Sequence, residues 1–315
     1  MYRNKSIAVV IPAYNEERQI AGVITSLPDW VDYIVAVNDA STDCTGDVVR
    51  KLKTIDPRVI LIDLKTNQGC GGALSEGYLW ARDHACDIAV RMDGDGQMDP
   101  AELSSLLDPV VEGRADYTKG NRLVTGEAFN RIPKVRYFGN AFLSLLTKIA
   151  SGYWHVADFQ SGYTAINRQA LHIIDWDKMY KRYGQPNDLL VRLNIYSFRV
   201  RDVTVRPVYG VGERSGIKPL RMIPRLSWLL FRLFLYRMGM KYVIRDFHPL
   251  VFFYAIGMLL FPLGFLFGVY LMLVRVFSGP VAGTSALFAA LMVLTGLQFL
   301  LFAMWFDMDH NKGLK

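Results

Sequence analysis

Two long stretches without a formal charge constrain this chain more than any other feature. No Lys, Arg, Asp or Glu occurs from Phe247 to Val274, and none again from Val276 to Phe306. Each stretch exceeds the roughly 20 apolar residues that cross a bilayer as a helix. A buried helix of a soluble domain keeps charge on its outer face, and these do not. A transmembrane hairpin is expected over 247–306, with a short tail, 307–315, behind it.

Charge sets the expected orientation. The formal net charge is +7. Basic residues crowd the segment before the first span, including Arg221, Arg225, Arg232, Arg237, Lys241 and Arg245, whereas the loop Arg275–Thr284 holds only Arg275. By the positive-inside rule, the large N-terminal part and the tail face the cytoplasm. Charge placed beside membrane spans suits anionic headgroups and phosphorylated substrates better than nucleic acid. Within 216–246, Arg221, Arg225 and Arg232 fall within about 40° of one another on a helical wheel, with Trp228, Leu229, Phe231, Leu233 and Phe234 on the remaining faces. The segment reads as amphipathic interfacial helices, bent or broken at Gly239. The first apolar run, Ile7 to Ile11, is too short for a signal peptide. Cys44, Cys70 and Cys86 form neither a disulfide framework nor a CxxC metal site and read as reduced thiols.

Residues 1–215 read as one catalytic domain. Apolar runs at Ile7–Ile11, Tyr33–Val37, Val59–Ile62 and Ile88–Met92 alternate with helical spacing at Ile20–Leu27, Val48–Leu52 and Gly72–Arg82. Such βα alternation predicts a mostly parallel sheet covered by helices, with ligands at the carboxyl ends of its strands. Further helices are expected over Lys134–Ala150 and Asn187–Tyr196, and a strand near Val203–Val208. Acidic residues sit where those strands end: Glu16 and Glu17, Asp39 and Asp43, Asp93 and Asp95. Gathered on one sheet edge, they repel one another unless a cation or a donor-rich ligand lies among them. Asp93-Gly94-Asp95, at the end of an apolar strand, suits a hard divalent cation that also takes phosphate oxygens. Asp99-Pro100 reads as a helix cap, and Asp43 as a cap on the helix after it. Gly69-Cys70-Gly71 with Ala73 approaches a dinucleotide fingerprint, but its third position falls early and it follows a later strand.

Four motifs in order resemble family 2 GT-A glycosyltransferases. They are Val9-Val10-Ile11-Pro12-Ala13-Tyr14-Asn15-Glu16-Glu17, Val37-Asn38-Asp39-Ala40-Ser41-Thr42-Asp43, Asn67-Gln68-Gly69 through Gly72-Ala73, and Met92-Asp93-Gly94-Asp95-Gly96-Gln97. In the second, Asn38 and Ala40 stand where Asp and Gly are commoner. The resemblance implies a GT-A, Rossmann-like domain. Pro12, Tyr14, Glu16 and Asp39 would hold the nucleoside, Asp93 would lie near ribose or metal, and Asp95 and Gln97 would ligate Mg²⁺ or Mn²⁺.

The two late spans are similar to the architecture of polyprenyl-phosphate glycosyltransferases, the dolichol-phosphate mannose synthases and GtrB-like enzymes. Gly120-Asn121-Arg122, Pro133 to Asn140 with Arg136, Asp158-Phe159-Gln160-Ser161-Gly162-Tyr163, and Gly212-Glu213-Arg214-Ser215-Gly216-Ile217-Lys218 resemble their later motifs. The resemblance implies an acceptor phosphate held by Arg122, Arg136 and Asn140, with Arg131 in reserve. It also implies a diphosphate loop of Arg214, Ser215 and Lys218. A lipid monophosphate is already anionic and needs no strong base, and guanidinium groups match its geometry. The expected reaction is inverting transfer of a hexose or N-acetylhexosamine from a nucleotide-sugar, UDP favoured over GDP, to a polyprenyl phosphate. A hydroxyl acceptor would instead need a carboxylate base, a place that Asp188 occupies in sequence; Asp188 could equally contact sugar hydroxyls or cap its helix. A non-enzymatic scaffold fits poorly with Asp93, Asp95 and Gln97 all present. Self-association is left open.

Overall fold

The computed structural model describes residues 1–122, 134–206, 208 and 219–315, with side chains from residue 142 in the fifth helix and from residue 222 in the eighth. It divides into two compact units, Met1–Phe234 with Leu314–Lys315, and Leu235–Gly313.

The first unit follows the βα alternation of the sequence. Strands β1 (Ile7–Ala13), β2 (Tyr33–Asn38), β3 (Val59–Asp63) and β4 (Ile88–Arg91) alternate with helices α1 (Ile20–Thr25), α2 (Thr45–Ile55) and α3 (Cys70–Asp83). A 3-10 turn, Pro100–Glu102, leads into α4 (Leu103–Val111), and Asp99 caps it by accepting from the Ala101 amide. Then come β5 (Tyr117–Asn121), α5 (Lys134–Ser151), β6 (Thr164–Asn167), α6 (Arg168–Ile173), α7 (Gln185–Ile195) and β7 (Val200–Thr204). The seven strands form one sheet in the order β3-β2-β1-β4-β6-β5-β7. Only β6 runs against the others. The sheet is therefore mostly parallel, as βα alternation requires.

Both faces of the sheet are covered. One core gathers Val10, Val35, Tyr78, Leu74 and Trp176; the other gathers Ile11, Ile34, Val90, Leu103 and Leu106. A side chain of this size contributes about 1.5–3 kcal/mol when fully buried. Gly77 lets α3 lie close on the sheet: a Cβ there would stand 2.2 Å from Val10 Cγ1. This packing fixes the carboxyl ends of β1, β2 and β4 along a single edge.

Helix α6 and two strands differ from the sequence reading. β5 was not expected, because Tyr117-Thr-Lys-Gly-Asn is no apolar run. Its polar members are buried all the same, Thr118 donating to the Leu106 carbonyl and Lys119 to the Ser161 carbonyl. The last strand begins at Val200 and ends at Thr204, ahead of the expected Val203–Val208.

Helix α8 (Pro219–Gly239) runs from the first unit into the second and passes into a π-helical turn, Met240–Arg245. Within the first unit it buries Leu226, Leu230 and Leu233, while Arg225, Trp228, Phe231 and Arg232 stay exposed. In the second unit, helices α9 (Leu250–Phe277) and α10 (Gly283–His310) form a hairpin. Both are long and apolar enough to cross a membrane, and only 22% and 17% of their most apolar windows are buried, unlike the core helices of a soluble domain. Small residues seven apart make the seam: Gly257 and Gly264 on one helix, Ala289, Gly296 and Ala303 on the other. A Cβ at Gly296 would lie 2.4 Å from the Phe261 amide nitrogen, so the backbones touch there. Beside the hairpin, Arg237 and Asp307 form a fully buried two-pronged ion pair, with bonds of 2.8 and 2.9 Å. The Tyr242 hydroxyl donates to Asp307, and Lys241 donates to Asn311.

Candidate active site

The β1 and β2 ends are clipped together before any ligand is considered. Asn15 adopts a left-handed φ of 59°. Its side-chain oxygen accepts from the Thr42 amide at 2.8 Å, and its own amide donates to Ser41 Oγ. The Glu16 amide donates to Thr45 Oγ1, the Glu17 amide to Asp43, and the Cys44 amide to Glu17. Asp43 also accepts from Thr45 at the entry to α2, in keeping with a capping role. Pro12 lies buried within β1, and Tyr14 stands out from the loop at 47% exposure. Asp39 is buried, with one carboxylate oxygen accepting from the Gln68 amide at 2.6 Å and the other from the Gly69 amide at 2.8 Å. It shapes the turn into α3, where Gly69 holds a φ of 83°.

Glu16, Asp93 and Asp95 come together on this edge. Burial, together with the charges of Asp95, Asp43 and Asp93, pushes the Glu16 carboxyl up to about 7. Burial, with Asp93 adding to it, also raises Asp95. One Asp95 oxygen accepts from the Gln97 amide at 3.0 Å. Asp93 is held differently. Its two oxygens are gripped by Arg91, Nε to Oδ1 at 2.8 Å and Nη2 to Oδ2 at 3.2 Å. Arg91 is itself buried and reaches Cys70 Sγ and Gln185 Oε1 as well. The sequence reading did not single out Arg91. An arginine closing an otherwise apolar strand, two residues before a carboxylate, was the available signal. Gly162, from the loop before β6, closes over the pair: a Cβ there would stand 2.6 Å from Asp93 Oδ2 and 3.0 Å from Arg91 Nη2.

Among the described residues, no three His, Cys, Asp or Glu side chains are placed to hold a metal ion by themselves. The donor set nevertheless fits a hard cation that takes most of its oxygens from a diphosphate. The fit rests on crowded carboxylates, one of them forced toward neutrality, that an added positive charge would relieve.

The remaining candidates sit apart from this trio or outside the described residues. Asp188 is buried, accepting from the Tyr180 amide at 2.7 Å and from Arg192 Nε at 2.9 Å. Burial raises its pKa against the pull of Arg192. One oxygen holds α7 to the segment before it, and the other pairs with Arg192 one turn along the same helix. Arg122 is paired with Asp158 through Nε to Oδ2 at 2.8 Å and Nη2 to Oδ1 at 3.2 Å. Burial would raise Asp158, but Arg122 and Lys119 hold it below the usual carboxylate range. Lys119 is fully buried, and desolvation lowers it to about 8. Arg136 and Asn140 lie in the first turns of α5, where only the backbone is described. Arg131, Arg214, Ser215 and Lys218 lie outside the described residues. A separate recess of about 490 Å³ around Lys5, Asp87 and His172 lies at the opposite edge, by the amino end of β4, where α/β sheets do not bind their ligands.

A model of glycosyl transferase family 2 matches residues 8–174. The chain is 29% identical over 249 residues to the UDP-N-acetylglucosamine–dolichyl-phosphate N-acetylglucosaminyltransferase of Methanococcus voltae, covering 75% of this chain and 98% of that protein. It is 32% identical to the undecaprenyl-phosphate mannosyltransferase of Micrococcus luteus, covering 67% of this chain and 88% of that one. Among solved structures, it resembles glucosyl-3-phosphoglycerate synthase of Mycobacterium tuberculosis, crystallised with Mn²⁺, UDP-glucose and phosphoglyceric acid. The TM-score is 0.54 at 22% identity, over 75% of this chain and 81% of that one. At that identity the likeness speaks for the fold alone.

Proposed function

This chain belongs to glycosyl transferase family 2, and from that premise we propose that it moves a hexose or N-acetylhexosamine from a UDP-sugar to a polyprenyl phosphate with inversion. It is a glycosyltransferase of GT-A fold. The observation that carries the finer reading is the gathering of Glu16, Asp93 and Asp95 at the carboxyl edge of the sheet, within a chain that bears two membrane-length helices. The names of the Methanococcus and Micrococcus relatives support the lipid-phosphate acceptor, and the former supports UDP.

In this reading Pro12, Tyr14, Glu16 and Asp39 frame the nucleoside. Asp95 and Gln97, with Asp93 beside them, would hold a Mg²⁺ or Mn²⁺ ion. When bound, that ion offsets the charge of the departing diphosphate. Arg91 fixes the Asp93 carboxylate in place through two hydrogen bonds. Arg214, Ser215 and Lys218 would bind the diphosphate. Arg122, Arg136 and Asn140, with Arg131 in reserve, would seat the acceptor phosphate. One of its oxygens attacks the anomeric carbon from the face opposite the diphosphate. The bond to the diphosphate breaks, its electron pair leaves with the nucleotide, and the configuration inverts. No proton need be removed from the nucleophile. Asp188, whose two oxygens are already engaged, then serves to position α7. That engagement also weighs against the alternative of a hydroxyl acceptor, which would need a free base.

The domain limits proposed are 1–215 for catalysis, 216–246 for the interfacial helices, 247–306 for the hairpin and 307–315 for the tail. Catalytic unit and tail face the cytoplasm, as the basic flank before the first span argues. The test is transfer by the purified full chain to polyprenyl phosphate in micelles, across a panel of UDP- and GDP-sugars, with and without Mn²⁺. Labelled polyprenyl-phosphate sugar should appear with a UDP-sugar and Mn²⁺. It should vanish in EDTA and in Asp95→Ala, with the far-UV circular dichroism unchanged. Full turnover in EDTA or in Asp95→Ala would remove the metal role. Transfer to hydroxyl acceptors alone would remove the lipid-phosphate assignment.

A further inference from the structure

Helix α10 has two faces with different chemistry. Taking Gly296 as zero and about 100° per residue, the seam residues Ala289, Gly296 and Ala303 lie within about 40° of arc. Leu294, Gln298, Leu301 and Trp305 lie on the opposite side, between about 140° and 200°. Together with Leu297 and Phe302 they line a groove of about 420 Å³. The large residues are exposed, Leu294 at 65%, Leu301 at 57% and Trp305 at 60%. Gln298 in their midst is exposed too.

An apolar groove on a spanning helix needs no explanation, since lipid covers it. The amide does. In the uncharged part of the helix, Gly283–Phe306, Gln298 stands about 5 Å from the middle along the axis. That places it well inside a hydrocarbon layer about 30 Å thick. Acyl and polyprenyl chains offer no hydrogen-bond partner there, and an unsatisfied polar group in hydrocarbon is costly. The occupant of the groove must therefore be apolar along its length and carry an amide, or its equivalent, at one depth.

We propose that the occupant is the same helix of a second copy of this chain, with Gln298 bonded across the interface to its own counterpart. Membrane insertion gives every copy one orientation. A two-fold axis relating two copies must then run along the bilayer normal, and equivalent residues meet at equal depth. Gln298 thus faces Gln298. An amide is both donor and acceptor, so the pair is self-complementary. The spacing 294, 298, 301, 305 alternates four and three, the repeat on which parallel helices interlock side chains. This pairing rests on α10 spanning the membrane and is independent of which sugar or acceptor the catalytic unit uses.

The test uses the full chain labelled at its N-terminus with donor or acceptor dye and reconstituted in phosphatidylcholine vesicles. Energy transfer should exceed the random-proximity level, saturate with protein-to-lipid ratio, and fall when unlabelled chain is added. Gln298→Leu makes the span more apolar, so insertion is retained, and carbonate extraction verifies it. In that variant the ratio for half-maximal transfer should rise about tenfold, the scale of one interhelical side-chain hydrogen bond. Gln298→Asn, which keeps the amide, should recover most of the loss. A Gln298→Leu curve that superimposes on the unsubstituted chain would overturn the proposal, as would transfer no greater than random proximity. Loss of transfer on adding polyprenyl phosphate would assign the groove to that lipid instead. A chain that carbonate extracts from the vesicles would sink the spanning reading itself, and the pairing with it.

Discussion

The substitution Gly162→Ala isolates the geometry of the acidic edge. A Cβ at this position would lie 2.6 Å from Asp93 Oδ2, whereas ordinary contact begins at 3.4 Å, so the carboxylate must yield by 3.4 − 2.6 = 0.8 Å. A lone side-chain oxygen would swing aside at little cost. This one is gripped by Arg91 at 2.8 and 3.2 Å, and Arg91 Nη2 stands 3.0 Å from the same new methyl. The pair must move together or come apart. A misplacement near 1 Å at a reacting centre costs on the order of 100-fold in rate, so kcat should fall roughly 10- to 100-fold. Overpacking of this kind lowers stability by only about 1–3 kcal/mol, so the protein should still fold. Gly94→Ala is the control. It lies inside the Asp93-Gly94-Asp95 motif, yet its Cβ would come tight only on the flexible end of Ile20, at 3.2 Å, with Ala13 and Ile11 at an ordinary 3.6 Å. The assay is the initial rate of sugar transfer at saturating polyprenyl phosphate with donor varied. Gly94→Ala should stay within about threefold of the unsubstituted enzyme while Gly162→Ala collapses. If Gly162→Ala retains its rate, or Gly94→Ala is the more damaged, the placement of Asp93 by Arg91 and Gly162 does not govern turnover.

Glu16 is raised from 4.5 to about 7 in the folded protein. Its share of stability is therefore fully present below 4.5 and is lost as pH rises through about 7. A cation among the carboxylates reverses that loss, so the increase in melting temperature on adding Mn²⁺ with UDP should grow as pH rises through 7, and Glu16→Gln should flatten the trend. Arg136→Ala should raise KM for polyprenyl phosphate by about tenfold or more while leaving KM for the donor unchanged, the scale of a charged hydrogen bond to phosphate; initial rates with each substrate varied separate the two. Gly296→Leu should force the hairpin helices apart at Phe261, seen as a lower midpoint of thermal unfolding in detergent while Gly268→Leu, with open space around it, leaves the midpoint near that of the parent.

What could be read from the sequence was whatever is written locally. Strands β1 to β4 announce themselves as apolar runs between helical spacings, and Glu16, Asp93 and Asp95 stand at their ends. Thr118 and Lys119 hide β5, because the carbonyls of Leu106 and Ser161 that satisfy them come from far along the chain. The same reason conceals the duties of Asp39 and Asp188. Asp39 accepts from the Gln68 and Gly69 amides, 29 and 30 residues away, and Asp188 from the Tyr180 amide, 8 residues before it and outside its own helix. Arg91 carries a weaker signal, for the converse reason. A charged residue beside an apolar run reads as a solvent-facing strand end unless its buried partners are known.

The ion pair of Arg237 with Asp307 bears on the order of events during synthesis. Its members stand 70 residues apart, with all of α9 and most of α10 between them. The guanidinium emerges from the ribosome long before its carboxylate exists, and it must wait at the water boundary until the second helix has been inserted. Closure of the pair, with Tyr242 and Asn311 completing it, then ties the end of α8 to the end of α10. A nascent chain arrested before Asp307 would carry Arg237 without its counter-charge.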